Sequence, residues 1–142
     1  MLELITTADG SKTVFNSEVG ENYHSKHGAL QESRHVFLKS GLEYYLTDSN
    51  TSEASVLEVG FGTGLNFLLS ADYCINKDIR LNYTGIEAYP LSQEMIGQTG
   101  YDEYVAKEVW AEFLKLYPGS LVAPININKF CRLQIANCKL SD

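Results

Sequence analysis

The chain has 142 residues, of which 44% are hydrophobic and 20% are charged, and its formal net charge at pH 7 is −7. This length suits one domain with its own core and is too short for two, and the composition excludes a mainly disordered protein. The acidic balance disfavours broad binding of polyanions, because sequence-independent affinity for nucleic acids comes from Lys and Arg. An RNA partner would therefore need a local basic patch.

The N-terminus and the cysteines bear on cellular location. The opening residues, MLELITTADG, have neither the basic leader nor the cleavage site of a signal peptide. Acids interrupt the apolar stretches well before the roughly 20 residues that a membrane helix needs. Cys74, Cys131 and Cys138 are odd in number and lack CxxC spacing, which favours reduced thiols over a disulfide framework. We therefore expect a cytoplasmic protein with no membrane segment.

The first third of the chain predicts a hairpin followed by a helix. Asp9 and Gly10 stand between two strand-like runs, and this dipeptide favours a tight hairpin turn. Over residues 28–46, apolar side chains recur at helical spacing, which predicts an amphipathic helix weakened near Gly41. These apolar side chains are Leu30, Phe37, Leu38, Leu42 and Tyr45. The small polar residues 47–55 are typical of a surface connection.

The remaining residues alternate between strands and helices. Residues 56–59 predict a buried strand, and the glycine-rich turn after it opens a helix. A second strand is predicted at 81–86, a helix at 103–117 that ends at Pro118, and a last strand at 131–135. The inner face of the first of these helices would include Leu65, Leu68 and Leu69. This order predicts an α/β fold with a parallel sheet, in which ligands bind at the carboxyl ends of the strands.

The glycine-rich turn is the most informative local motif. Residues 58–64, EVGFGTG, follow the pattern acid-x-Gly-x-Gly-x-Gly, and glycines there allow a sharp turn and close approach of a ligand. The dinucleotide fingerprint GxGxxG would need its third glycine where this chain has Leu65. A P-loop would need a following Lys, which is absent. Both phosphate-binding interpretations are therefore disfavoured.

S-adenosylmethionine suits this motif better, because it carries a ribose diol and a cationic sulfonium but no phosphate. Glu87 lies 23 residues after Gly64, at the end of the second predicted strand, where its carboxylate could accept from both ribose hydroxyls. Hydrogen bonds to a charged acceptor contribute roughly 1.5 to 3 kcal/mol each. Asp142 follows the third strand and could accept from the adenine amino group. The alternatives are a turn without a ligand, a surface or capping carboxylate at Glu87 and a disordered terminus at Asp142.

Two segments carry a family resemblance. ENYHSKHGALQESRHVFLKSGL and VLEVGFGTGLNFLL resemble the methyltransferase domain of the bacterial enzymes that complete 5-methylaminomethyl-2-thiouridine at the tRNA wobble position. The resemblance implies a class I, Rossmann-like methyltransferase that uses S-adenosylmethionine and acts on tRNA. It also implies that Tyr23, Ser25 and Glu32 lie near the methionine end of the cofactor. The predicted cofactor-binding residues are then Tyr23, Ser25, Glu32, Glu58, Gly60, Phe61, Gly62, Thr63, Gly64, Asn66, Glu87 and Asp142.

Residue types alone favour a structural role for the N-terminal segment, with Tyr23 as part of the core and Glu32 and Arg34 as exposed helix charges. Its histidines, His24, His27 and His35, do not have the spacing of a zinc site, so we expect no metal. The basic candidates for tRNA contact near the motif are Lys26, Arg34, Lys39 and the three histidines.

The resemblance also implies what the chain does not contain. In the family, the sheet has seven strands and a D-x-F-x-P-like motif after the fourth supplies the catalytic Asp, which would lie beyond Asp142. We therefore expect a sheet that stops after its third strand, with residues 1–50 as an N-terminal hairpin and helix and 51–142 as the first half of the cofactor-binding domain. The strand at 56–59 would be an unpaired apolar edge, a site for self-association.

Two explanations of this edge stay open, a fragment of a longer enzyme or completion by another copy, and we favour the fragment. We expect weak or absent catalysis by the chain alone. The alternative functions are a methyltransferase for a small molecule or protein and a non-catalytic interaction module.

Overall fold

The computed structural model describes residues 1–49 and 51–139. The strands are β1 (Leu2–Thr6), β2 (Lys12–Asn16), β3 (Glu21–Asn22), β4 (Glu53–Val59), β5 (Arg80–Ile86), β6 (Ile125–Asn126) and β7 (Cys131–Ala136). The α-helices are α1 (Ala29–Glu32), α2 (Tyr44–Ser49), α3 (Leu65–Asn76), α4 (Gln93–Gly97) and α5 (Lys107–Ser120), with a π-helix at Ser33–Glu43 and a 3-10 turn at Tyr101–Glu103. None of the described helices is long and apolar enough to cross a bilayer.

The predicted hairpin is confirmed. β1 and β2 pair antiparallel with Leu4 opposite Val14, and Gly10 takes the left-handed backbone conformation at the turn with φ of 88°. The short β3 adds a third antiparallel strand to this small sheet. Val14 is fully buried, so the hairpin contributes to the main core.

The hairpin turn caps the first helix. Oδ2 of Asp9 accepts from the backbone N–H of Gln31 at 3.0 Å, and the Ser11 hydroxyl accepts from the N–H of Leu30 at 2.9 Å. The Thr7 hydroxyl accepts from Ala29 at 3.1 Å. The first N–H groups of a helix have no partners within the helix, so these three side chains satisfy them and fix the hairpin against α1.

The helix over residues 28–46 is confirmed, but its winding differs from the prediction. The central part, Ser33–Glu43, is a π-helix between α1 and α2. A π-helix bonds i to i+5, and this changes which side chains face inward. Leu42 and Leu46 are buried, whereas Tyr45, which an α-helical period places on the inner face, is 51% exposed.

The main sheet has the order β4-β5-β7-β6. β4, β5 and β7 are parallel, and β6 adds a short antiparallel edge that the sequence did not predict. The predicted strands are therefore confirmed with small shifts of their bounds, and β4, the strand that precedes the glycine turn, is at the edge as expected. The alternate residues Leu81, Tyr83, Cys131, Leu133 and Ile135 are almost fully buried on the face that packs against α3 and α5.

The helix predicted to end at Pro118 continues through Ser120, so that boundary was wrong. Proline has no N–H to donate to the carbonyl four residues earlier, which here belongs to Leu114. Gln93 Nε2 donates to that carbonyl at 2.7 Å instead. This side chain satisfies the group that Pro118 leaves unpaired, so the last turn of α5 forms.

Candidate cofactor site

The glycine turn connects β4 to α3 at the carboxyl end of the parallel strands. Gly62 and Gly64 have φ of 59° and 84°, a region that other residues rarely adopt. A Cβ on Gly64 would lie 2.8 Å from Cζ of Phe113, and one on Gly62 would lie 3.0 Å from Cδ2 of Tyr23. The turn therefore needs glycine both for its backbone shape and for the close approach of α5 and Tyr23.

Glu87 lies directly against this turn. Its Oε1 accepts from the backbone N–H of Gly62 at 2.8 Å, and its Oε2 accepts from the N–H of Tyr89 at 3.2 Å. The backbone of Ile86, the last residue of β5, accepts from the N–H of Gly60 at 2.8 Å. The acid predicted from its position after the second strand therefore lies beside the glycines predicted from the first.

Glu58 is a buried acid beneath the turn, 8% exposed. Tyr83 Oη donates to its Oε1 at 2.7 Å, and Asn66 Nδ2 donates to its Oε2 at 2.7 Å. Burial raises the pKa of Glu58, the two hydrogen bonds lower it, and the nearby charge of Glu87 raises it, with a net result of about 7. A cation bound beside Glu58 would favour the ionised form of its carboxylate through its positive charge.

Asn66 carries an acceptor that the described protein does not use. Its Nδ2 is bonded to Glu58, but its buried Oδ1 has no hydrogen-bond partner among the described residues. Buried polar atoms are normally paired, so this oxygen is an acceptor that a donor group of a ligand would satisfy. The charged, polar and glycine groups at this turn fit S-adenosylmethionine, whose amino group is such a donor.

The predicted residues of the N-terminal segment divide into two groups. The ring of Tyr23 lies over Gly62, and burial followed by the charge of Glu87 raises the pKa of its hydroxyl. Ser25 and Glu32 contact each other, with the N–H of Ser25 donating to Glu32 Oε1 at 3.4 Å. These two line an adjacent open depression of about 420 Å³, and the structure places only Tyr23 of this group directly on the turn.

Phe61 and Thr63 direct their side chains into the protein. Phe61 is 3% exposed within an aromatic cluster, and the hydroxyl of Thr63 accepts from Tyr101 Oη at 3.1 Å. The cluster also contains Phe67, Tyr83, Phe113 and Tyr117. Any contact of Phe61 or Thr63 with a cofactor would therefore come from the backbone.

One predicted site residue is not among the described residues, and one residue of the site was not predicted. Asp142, the candidate for the adenine amino group, is not among the described residues. Tyr83 was missed, although its position in the alternating strand RLNYTGI places it on the buried face. Within the described residues, no three His, Cys, Asp or Glu side chains converge on a metal site.

An apolar groove lies away from the turn, between the π-helix and the free edge of β4. It has a volume of about 400 Å³, and Val36, Phe37, Leu42, Tyr45 and Leu57 are among its lining residues. On the edge strand, Leu57 is 65% and Val59 58% exposed. This groove and edge are where an additional strand or a second molecule would pair.

Comparison with known sequences gives a consistent set of relatives, although no protein-family model matches. The chain is 35% identical over 125 residues to the tRNA 5-methylaminomethyl-2-thiouridine biosynthesis bifunctional protein MnmC of Leptospira interrogans, covering 83% of this chain and 19% of that protein. The protein of the same name from Methylobacillus flagellatus is 31% identical over 113 residues, covering 77% of this chain and 16% of that protein. The chain thus spans less than a fifth of the curated relatives it matches.

Comparison with solved structures agrees with the sequence matches. The crystal structure of MnmC2 from Aquifex aeolicus matches with a TM-score of 0.71 and 24% identity, covering 96% of this chain and 42% of that chain. This likeness bears on the fold and is consistent with a Rossmann-like α/β architecture. From the sequence matches, the chain belongs to the MnmC family.

Proposed function

We propose that the chain binds S-adenosylmethionine at its glycine turn, as part of a methyltransferase that acts on 5-aminomethyl-2-thiouridine at the tRNA wobble position. The observation that carries the proposal is the contact of Glu87 Oε1 with the backbone N–H of Gly62 at 2.8 Å. It joins an acid and a glycine turn at the carboxyl ends of two parallel strands, where nucleosides bind in such sheets. The names of the relatives, which refer to biosynthesis of this tRNA nucleoside, support the choice of substrate.

The two acids would hold opposite ends of the cofactor. An ionised carboxylate has about four acceptor positions, and Glu87 uses two of them for Gly62 and Tyr89. The remaining two suit the ribose hydroxyls. Glu58 and the free Oδ1 of Asn66 suit the cationic amino acid end, and Tyr23 covers the turn.

When bound, S-adenosylmethionine supplies a methyl group activated by its sulfonium. The amine that accepts it must be neutral, whereas an unperturbed alkyl amine has a pKa near 10.4 and is mostly protonated at pH 7. We assign no described residue to that deprotonation. The role of the described residues is to bind and orient the cofactor, and alignment of bound reactants can supply about 7 to 11 kcal/mol of a barrier.

Self-association through the edge of β4 is a second part of the proposal, carried by the exposed Leu57 and Val59 beside the apolar groove. We also infer a cytoplasmic location, where a tRNA-modifying enzyme meets its substrate.

The binding proposal is tested by calorimetric titration of the chain and its Glu87→Gln variant with S-adenosylmethionine. Loss of a charged acceptor costs roughly 1.5 to 3 kcal/mol, which corresponds to about a 10- to 150-fold weaker affinity. Glu94→Gln, which removes an exposed acid of α4, is the matched control and should bind like the unaltered chain. Equal affinities for all three proteins would remove Glu87 from the site, and no binding by any of them would contradict the proposed function.

A further inference from the structure

A polar cavity lies at the amino ends of β5 and β7, at the opposite end of the sheet from the glycine turn. Its volume is about 220 Å³. Three cations and three amides line it, namely Arg80, Lys129, Arg132, Asn82, Asn126 and Asn128. We call this set the cationic pocket, and it shares no residue with the candidate cofactor site.

Sheet pairing assembles the pocket from distant parts of the chain. Asn82 of β5 and Asn126 of β6 both lie opposite Arg132 of β7, so the three form a row across the sheet. Arg80 precedes Asn82 by two residues and therefore shares its face. This is the face opposite the buried Leu81, so the side chains of the row are available to a ligand.

The side chain of Asn128 fixes the loop before β7 by hydrogen bonds to its backbone. Oδ1 of Asn128 accepts from the backbone N–H groups of Phe130 and Cys131 at 2.8 and 2.9 Å. This leaves the Nδ2 of Asn128 as the donor of that side chain. Lys129 Nζ lies 5.2 Å from the ring centroid of Phe130, and Phe130 also lines the pocket.

The concentration of positive charge is unusual for this chain, which has 11 Lys and Arg against 18 Asp and Glu. Among the described residues, Arg80, Lys129 and Arg132 form no ion pair within 4.0 Å. The carboxylate beside the pocket is Glu53, which accepts from Asn82 Nδ2 at 3.0 Å and pairs in register with Arg80. One acid beside three cations leaves the pocket net positive.

We propose that the cationic pocket binds the phosphodiester backbone of RNA. Guanidinium groups donate to phosphate oxygens in a planar fork, and side-chain amides commonly add contacts to the backbone. Phe130 is half-buried against the core and lines the pocket beside these cations, so the exposed part of its ring could stack with an unpaired base, which a free anion does not supply. The inference rests on the proposed tRNA function and adds to it a contact surface that the residues near the sequence motif did not indicate.

The pocket would position the RNA and take no part in the reaction. The seven residues of β5 run from Arg80 in the pocket to Ile86 beside the turn, which at about 3.3 Å per residue is a distance of roughly 20 Å. A folded RNA is large enough to reach both ends of such a sheet. The exposed side of the sheet between them carries the half-buried polar residues Thr84 and Gln134.

The experiment measures binding of an unmodified tRNA transcript to the unaltered chain over a range of salt concentrations. The test variant is Arg80→Gln/Arg132→Gln. The control is Lys107→Gln/Lys115→Gln, which makes the same change in charge on α5, on the other side of the sheet. Thermal unfolding of each variant verifies that it is folded.

Each lost phosphate contact lowers the slope of log K against log salt by about 0.7 to 0.9. We expect the slope of the test variant to fall by about 1.4 to 1.8, which is roughly 25- to 60-fold in affinity at 0.1 M salt, with the control unchanged. Equal slopes for the test and control variants overturn the proposal that the cationic pocket binds RNA, while the proposed tRNA function stands. Inorganic phosphate that binds the pocket without competing with RNA also overturns it.

A failure of the unaltered chain to bind tRNA overturns both the pocket and the tRNA part of the proposed function. A parallel titration with S-adenosylmethionine then shows whether cofactor binding survives.

Discussion

Tyr83 Oη lies 2.7 Å from Oε1 of Glu58 and donates a hydrogen bond to that buried carboxyl group. Burial outweighs this bond and the one from Asn66, and with the charge of Glu87 it raises the pKa of Glu58 to about 7. The pair connects β5 to the end of β4, and the acid of the glycine motif has a pKa near neutral pH because burial outweighs the hydrogen bond from the neighbouring strand.

This titration predicts that cofactor affinity depends on pH. A cationic ligand stabilises the ionised form of Glu58, so binding releases a proton when the acid starts protonated. The affinity for S-adenosylmethionine should therefore rise from pH 6 to pH 8. Calorimetry at pH 7 in buffers of different ionisation enthalpy should detect release of about half a proton per ligand.

Two variants separate this effect from other titrations. Glu58→Gln should flatten the rise in affinity between pH 6 and pH 8. Tyr83→Phe removes a donor that favours the charged form, so the midpoint of the rise should move to higher pH. A profile that Glu58→Gln leaves unchanged would assign the pH dependence to a different group.

The second prediction concerns the capping role of Asp9. Loss of a side-chain cap costs about 0.5 to 2 kcal/mol, so Asp9→Ala should lower the free energy of unfolding by that amount in urea titrations. Asp48→Ala, at an exposed position of α2, serves as a control and should change it much less.

The same contacts predict an acid dependence of stability. Burial raises the pKa of Asp9, but hydrogen bonds from Ser11, Gln31 and Thr7 outweigh burial and lower it from 3.8 to about 2. Since the folded pKa is the lower one, the stabilisation is present above about pH 4 and is lost as the pH falls towards 2. An identical acid profile for Asp9→Ala and the unaltered chain would show that the cap does not titrate.

The third prediction addresses the free edge of β4. Leu57 is 65% exposed there, and a Lys on an edge strand blocks pairing with another strand. Leu57→Lys should therefore reduce concentration-dependent association in sedimentation velocity experiments. Val122→Lys changes a side chain that is 87% exposed and precedes β6, at the opposite edge of the sheet from β4. Association that responds equally to both changes would place the interface elsewhere.

The fourth prediction concerns the last turn of α5. Gln93→Ala removes the donor to the Leu114 carbonyl, and a hydrogen bond of this kind contributes about 0.5 to 1.5 kcal/mol. We expect the free energy of unfolding to fall by that amount. Combined with Pro118→Ala, the Gln93→Ala change should cost less free energy of unfolding. Alanine at this position restores the backbone N–H that donates to the Leu114 carbonyl. Independent, additive effects of the two changes would argue against this compensation.

The features that the sequence predicted correctly depend on local chemistry. The turn at Asp9 and Gly10, the glycine turn after β4 and the apolar face of α3 each follow from residues close together in the chain. The position of Glu87 could be predicted because parallel strands end at the same edge of a sheet.

The features that were missed depend on partners distant in sequence. Gln93 replaces the missing N–H of Pro118 from 21 residues before Leu114, and Tyr83 reaches Glu58 across 25 residues. The cationic pocket combines Arg80 with Arg132, which only the sheet register brings together. A hydrophobic period of 3.6 predicts an α-helix and does not indicate the π-helical winding of Ser33–Glu43.

The most direct test of cofactor binding is calorimetric titration of the Gly62→Arg variant with S-adenosylmethionine. A side chain at Gly62 would meet Tyr23 and occupy the turn. Gly20→Arg provides a matched control, because Gly20 also has positive φ, 77°, but has open space around its Cβ position. We predict that the unaltered chain and Gly20→Arg bind S-adenosylmethionine, whereas Gly62→Arg does not. Binding by Gly62→Arg with unchanged affinity would contradict a cofactor site at the glycine turn.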